Sequence, residues 1–248
     1  MPATGDLKGR VALVTGGSRG IGKATALALA EAGAAVAVNY RASGAEAERV
    51  AETIRKGGGR AAAFGADVSA RAAVEAMTHE IEKRLGPIDV LVNNAGMAAV
   101  RGLGEITEED FDHTIAVNLK SAFLCTQAVL PGMRARRWGR VVNISSIGAR
   151  IGSGSISVAY AAAKAGVEGL TRGYALRLAA EGVTVNAVAP GLIDTEMGRP
   201  LIEAGVPARI PVGRPGTGEE IAQAVLLLVG NGYMTGQTVA VNGGTLFS

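Results

Sequence analysis

A doubly wound α/β domain with a parallel seven-stranded sheet and helices on both faces is the fold this sequence predicts. Three observations predict it. Short, nearly continuous apolar runs recur along the chain, which is how strands covered on both faces read. Segments of helical length separate them, so strand and helix alternate throughout. The first strand breaks into a glycine-rich turn that leads directly into an alanine-rich helix, the opening of a βαβ unit. With 248 residues, 48% of them hydrophobic, the chain can bury one large core, so a single domain over 1–248 is expected.

Taken in order, Arg10 to Thr15 is the first strand and Gly16-Gly17-Ser18-Arg19-Gly20-Ile21-Gly22 the turn. A helix then runs to about Ala32, Gly33 ends it, and Ala34 to Asn39 is the second strand. Glycines let the backbone approach a pyrophosphate, and the following helix N-terminus offers N–H groups and a positive dipole end. The same turn also serves a tight packing of helix on strand, and its spacing departs from G-x-G-x-x-G. The second strand ends Asn39-Tyr40-Arg41, with no carboxylate to hold a ribose 2′-hydroxyl. Arg41 and Arg19 suit a 2′-phosphate instead, which favours NADP(H); as plain surface residues both would be solvated.

Ser43 to Lys56 is an amphipathic helix closed by glycines, and Ala61 to Ala66 is the third strand, followed by Asp67-Val68. Asp67 stands where it can meet an adenine amine or cap a helix beginning near Ser69. Ile88 to Val92 is the fourth strand, and Asn93-Asn94-Ala95-Gly96 ends it in the crevice where α/β sheets bind ligands. Thr107 reads as a helix cap with acids behind it. The next helix carries Asn118 in an apolar stretch, as a buried bridge or as a functional group. Arg134, Arg136, Arg137 and Arg140 cluster after it, as a landing patch for an acidic partner or as a solvated face. Arg140 to Ile144 is the fifth strand and Val183 to Val188 the sixth, ending Ala189-Pro190-Gly191. Leu192 to Arg214 reads as a long irregular lid broken by prolines, with Thr195 near its start. Thr217 to Glu220 opens one more helix, and Thr238 to Val241 is the last strand.

Between the fifth and sixth strands lies a helix spanning about Ser155 to Ala180 that holds Tyr160-Ala-Ala-Ala-Lys164. Four residues apart on a helix, a phenol and an ammonium share one face. A tyrosine titrates at about 10, and a neighbouring cation favours the phenolate, so the pair suits proton transfer to or from a substrate oxygen. Ser145-Ser146, at the end of the fifth strand, places a hydroxyl within range of the same oxygen.

Several functions are disfavoured by composition. A net charge of +3 with 4% aromatics lacks the basic stripe and stacking platforms of a nucleic-acid binder. One cysteine, Cys125, allows no internal disulfide and reads as a buried small residue. Two histidines and no Cys/His cluster argue against a metal site. Met1 to Asp6 lacks a signal-peptide pattern, and no apolar run reaches spanning length, so a cytoplasmic protein without membrane contact is expected.

Thr15-Gly-Gly-Ser-Arg-Gly-Ile-Gly22, Asn93-Asn-Ala-Gly96, Asn118, Ser146, Tyr160-Ala-Ala-Ala-Lys164 and Pro190-Gly191 together resemble the short-chain dehydrogenase/reductase family, in its 3-oxoacyl-carrier reductase type. The likeness runs from the first strand to Thr235-Gly-Gln-Thr-Val-Ala-Val-Asn-Gly-Gly244. It implies a Rossmann-type domain whose dinucleotide part is about 8–145 and whose catalytic and substrate part is about 146–248. It implies catalysis by Tyr160, Lys164, Ser146 and Asn118: Tyr160 as acid or base, Lys164 holding the nicotinamide ribose, Ser146 the substrate oxygen, and Asn118 a water in a proton relay. Cofactor contacts are implied for Gly16, Ser18, Arg19, Gly20, Ile21, Gly22, Asn39, Tyr40, Arg41, Asp67, Val68, Asn94, Ala95, Gly96, Pro190, Gly191, Ile193 and Thr195, besides Tyr160 and Lys164. The implied reaction is NADPH-dependent reduction of a ketone, a 3-oxoacyl thioester or small ketone, to a secondary alcohol. Rival expectations are an NAD(H)-dependent alcohol or hydroxysteroid-type dehydrogenase, and a non-catalytic NADP(H)-binding regulator. A homotetramer is implied. An acyl carrier protein is the implied partner, but Glu181 reverses the sign of one basic docking position, while Arg137 keeps another. The loop from Ser146 to Tyr160, with Ser153-Gly-Ser-Ile-Ser157, is one residue longer than in those reductases and borders the substrate mouth.

Overall fold

A computed structural model describes residues 6–98, 102–152 and 156–247. Seven strands form one parallel sheet in the order β3-β2-β1-β4-β5-β6-β7. They are β1 (Val11–Val14), β2 (Ala35–Tyr40), β3 (Ala61–Gly65), β4 (Ile88–Asn93), β5 (Gly139–Ile144), β6 (Val183–Pro190) and β7 (Thr238–Val241). The apolar runs became these strands because both faces are covered. Along β1, Ala12 and Val14 pack into one apolar layer, Val11 and Leu13 into the other.

The first layer is completed by α1 (Gly20–Glu31), α2 (Gly44–Lys56) and α9 (Gly218–Gly230). The second is completed by α3 (Arg71–Leu85), α5 (Ser121–Arg136) and α7 (Val158–Leu178). Between them in the chain lie α4 (Glu108–Ile115) and the short α6 (Gly148–Ile151) and α8 (Arg199–Glu203). The chain order reverses between β1 and β4, and the crevice outside the carboxyl ends of those two strands is where such sheets take ligands.

Local signals explain the starts of α4 and α9. Thr107 Oγ1 accepts from the Asp110 N–H at 3.1 Å while the Asp110 carboxylate accepts from the Thr107 N–H, a reciprocal cap for α4. Thr217 and Glu220 repeat the arrangement at α9. Asp67 differs from the capping expectation: its Oδ1 takes the Ser69 N–H at 2.9 Å and the Ser69 hydroxyl at 2.6 Å, closing a turn. Helix α3 begins only at Arg71. The lid is more regular than expected, with α8 and a 3-10 turn at Val206–Arg209. Pro200 and Pro207 fall in the first turn of each, where a missing N–H costs nothing.

Among the described residues, no helix is long and apolar enough to cross a membrane. The loop residues Val100 and Arg101 with Ala99, and Ser153 to Ser155 of the longer substrate loop, lie outside the described residues.

Candidate active site

A cleft of about 930 Å³ opens over the carboxyl ends of the strands. Every catalytic and cofactor-contact residue expected from the sequence lines it, from Gly16 on β1's turn to Thr195 on the lid.

The phosphate end is built from the glycine turn and held from behind. Asn94 Nδ2 donates to the carbonyls of Thr15 (2.9 Å) and Gly16 (3.0 Å). Thr15 Oγ1 accepts the N–H groups of Asn94 and Ala95, both at 3.0 Å, and so ties β1 to β4. Thr15 was not among the expected site residues. A polar residue closing an apolar strand is the signal that would have found it. Gly22 sits against this clasp: a Cβ there would lie 2.3 Å from Gly16 O and 2.5 Å from Asn94 Nδ2. Helix α1 has no side-chain cap and no acid in its first turn, unlike α4 and α9. A glycine cradle under an uncapped, acid-free helix N-terminus fits a dinucleotide pyrophosphate.

Asn39 requires a correction. Its side chain is fully buried and wholly engaged: Oδ1 accepts from Gly16 N–H at 3.2 Å, and Nδ2 donates toward the carbonyls of Tyr40, Phe64 and Ala66. It fastens the turn to β2 and β3, and its amide is not free to serve a ligand. Arg41 is exposed at the cleft edge, close enough that its charge helps hold the Asp67 carboxyl below the usual range, after the larger effect of the Ser69 hydrogen bonds. Arg19 is paired with Glu196 on the lid at 2.6 Å.

At the other end, Tyr160 and Lys164 lie on one face of α7, 8% and 4% exposed. The Ser157 side chain caps this helix. Lys164 Nζ donates to the Ile144 carbonyl at 2.8 Å and stands 5.6 Å from the centre of the Tyr160 ring. Ser146 accepts the Gly148 N–H at 3.1 Å, and its hydroxyl lies near enough to the Tyr160 phenol to act on its acidity. Asn118 sits in a π-helical turn (Ala116–Lys120) between α4 and α5. Its amide bridges Met97 N–H and C=O and the Thr114 carbonyl at 3.2, 3.0 and 3.0 Å, so the buried-bridge alternative describes what it does here.

The expected electrostatics of the pair are reversed. Burial raises the Tyr160 phenol above its ordinary range, and the Ser146 hydrogen bond opposes this. The ammonium points at the Ile144 carbonyl, and desolvation sets the direction for the phenol. Burial also pulls Lys164 down to about 8. A lysine ordinarily titrates at 10.5, so between these values the unfolded chain keeps a proton that the folded chain has lost. Stability therefore rises with pH across that window and is flat below it, where both states are charged. Against a Lys164→Met variant, denaturant unfolding of the parent should gain about 2 kcal/mol between roughly pH 7.5 and 9.5. Equal pH dependence in the two proteins would contradict the burial of a charged lysine.

The arginine cluster is spent within the chain. Arg134 pairs with Glu181 through both ends of its guanidinium, and Arg136 donates to the Ile88 carbonyl and pairs with Asp89. Arg137 donates to the Ala180 carbonyl, and Arg140 to the Val229 carbonyl while lying over the Trp138 ring. Arg134 and Arg137 stay exposed, as the solvated-face alternative expects, while Arg136 and Arg140 are tied to backbone carbonyls. Cys125 is fully buried and its thiol is pushed up to about 12, which makes it inert. Among the described residues, no three of His, Cys, Asp and Glu group to hold a metal.

A glycine-cradled dinucleotide cleft over a parallel sheet, with a Ser/Tyr/Lys cluster at its far end, defines a class of oxidoreductase, and the family model for short chain dehydrogenase matches residues 10–204. The chain belongs to the short-chain dehydrogenase/reductase family. It is 44% identical over 247 residues to a 3-oxoacyl-[acyl-carrier-protein] reductase FabG of Pseudomonas aeruginosa, covering 98% of this chain and 99% of the relative. It is also 44% identical over 246 residues to the (2S)-[(R)-hydroxy(phenyl)methyl]succinyl-CoA dehydrogenase subunit BbsD of Thauera aromatica, covering 96% and 97%. Among solved structures, a candidate gluconate dehydrogenase from Agrobacterium tumefaciens superimposes with a TM-score of 0.91 at 33% identity over 97% of each chain.

Proposed function

We propose that the protein reduces the ketone of a 3-oxoacyl thioester to a secondary alcohol with NADPH. The observation that carries this reading is the cluster of buried Tyr160 and Lys164 with half-buried Ser146, at the far end of a cleft whose near end is a glycine cradle. A bound nicotinamide supplies the hydride. The chain's own residues hold and protonate the carbonyl. Ser146 Oγ and Tyr160 Oη, side by side in the cleft lining, converge on one oxygen. Tyr160 gives that oxygen its proton. The phenol carries its proton at neutral pH, the state a proton donor needs in the reducing direction. Lys164, still mostly charged near neutrality, favours the phenolate left behind and stands ready for a ribose hydroxyl. Asn118 is a positioning residue: through Met97 it fixes the strand end that carries Gly96, where a Cβ would lie 2.8 Å from its Oδ1 and 3.5 Å from Lys164 Nζ.

The substrate end supports an apolar acyl chain. Met97, Ile147, Ile151, Ile156, Leu192, Met197, Leu201 and Ile210 line it. The named FabG relative acts on a carrier-bound substrate, as its name says, whereas the BbsD name specifies a coenzyme A thioester. Glu181, paired with Arg134, reverses the sign of one docking position for an acidic carrier, while exposed Arg137 keeps the other.

Cofactor choice rests on the end of β2, which presents Arg41 and no carboxylate. With acetoacetyl-coenzyme A as substrate, kcat/KM should be higher with NADPH than with NADH. Arg41→Asp should move the ratio toward NADH by roughly tenfold or more, the scale of one charge-assisted hydrogen bond. A parent that prefers NADH, or an unmoved ratio in the variant, would contradict the cofactor reading.

A further inference from the structure

Arg19 on the glycine turn and Glu196 on the lid are 177 residues apart in sequence, yet Nη1 and Oε2 are 2.6 Å apart. The contact is part of a seam. A Cβ at Gly20 would lie 3.2 Å from Thr195 Cγ2, so the turn and the root of the lid touch at the adjacent pair as well. Thr195 in turn fixes the lid's bend, its hydroxyl and carbonyl both receiving the Gly198 N–H. Arg19 has a second acidic neighbour in Glu46, on the first turn of α2, whose carboxyl lies below its ordinary range mainly through Arg49 and slightly through Arg19. Both partners of the lid pair are well exposed, 62% and 65%. Ion pairs this exposed are held weakly and exchange readily. A phosphate monoester carries more charge than a carboxylate and three acceptor oxygens, so it outbids one for a guanidinium.

We infer that Glu196 is a cofactor-selectivity residue: its carboxylate holds Arg19 and competes for it with the 2′-phosphate of NADP(H). The inference rests on the NADP(H) reading above. It assigns to the lid, and not only to the end of β2, a share in discriminating the two nicotinamide cofactors. NADPH has to displace Glu196 to reach Arg19, whereas NADH leaves the pair in place. Glu196 therefore lowers the preference for NADPH that the two arginines create, and ties that preference to the segment that borders the substrate mouth.

The test is a double-mutant cycle on dissociation constants for NADPH and NADH, measured for the parent, Glu196→Gln, Arg19→Gln and the double variant. Glu196→Gln should raise the NADPH-over-NADH affinity ratio about three- to fivefold, the scale of one exposed ion pair. In the Arg19→Gln background the same change should leave the ratio unmoved, because the contested cation is gone. A clamp that stays closed over the pyrophosphate would instead weaken both cofactors alike. An unchanged or lowered ratio in Glu196→Gln, or an equal rise without Arg19, overturns the inference. Failure of the NADP(H) reading shows separately, as tighter NADH than NADPH binding by the parent.

Discussion

Replacing Tyr160 by Phe should lower turnover on the order of 10³-fold, within the range for loss of a positioned general acid. The dissociation constant for NADPH should stay within about twofold of the parent, a difference of well under 1 kcal/mol. The asymmetry follows from what the substitution removes. The ring is 8% exposed and packs in α7, so Phe keeps its place and only Oη is removed. That oxygen is the proton source in the proposed reduction, and without it the substrate carbonyl has no acid beside it. The glycine turn, held by Asn94, Thr15 and Asn39, contains none of these atoms and is untouched. Near-parental turnover by Tyr160→Phe would show that the proton comes from elsewhere.

The second large effect belongs to the other end of the cleft. Gly22→Ala should destabilise the protein by about 1–3 kcal/mol, the usual cost of forcing a methyl into a filled space. It should also weaken NADPH binding by at least about tenfold, because a misplacement of about 1 Å at a preorganised site is expensive. The added Cβ would meet Gly16 O at 2.3 Å and Asn94 Nδ2 at 2.5 Å, and neither can withdraw without opening the clasp. Gly104, with nothing within 4 Å of an added Cβ, is the control, and Gly104→Ala should stay within about 0.5 kcal/mol. Thermal unfolding and cofactor titration read both expectations; parental behaviour of Gly22→Ala would mean that the turn tolerates a shift the geometry disallows.

What the sequence made legible and what it hid divide along a physical line. The strands were readable because burial on both faces leaves a nearly continuous apolar run, as in Val11–Val14 and Val183–Pro190. The reciprocal cap at Thr107 was readable because its partners lie three residues apart. The motifs that the chain order brings up meet in one cleft. Roles set by distant partners were hidden. Asn39 looked like a ligand contact because it ends β2, yet its amide is consumed by Gly16, Phe64 and Ala66. The Arg134–Glu181 and Arg19–Glu196 pairs join segments far apart in the chain, and no spacing announces them. The Tyr160 phenol was expected to become more acidic, because helical spacing reveals the nearby cation but not the depth of burial.

The central claim is that one carbonyl receives a hydride from NADPH and a proton from Tyr160 in this cleft. Reduction of acetoacetyl-coenzyme A with NADPH deuterated at C4, on the face that the bound cofactor presents, tests it most directly by mass spectrometry of the product. The expected product is the 3-hydroxyacyl thioester with one deuterium at the carbinol carbon, formed by the parent and scarcely at all by Tyr160→Phe. An alcohol without the label from either C4 face, or no alcohol from a parent protein that binds NADPH, would contradict it.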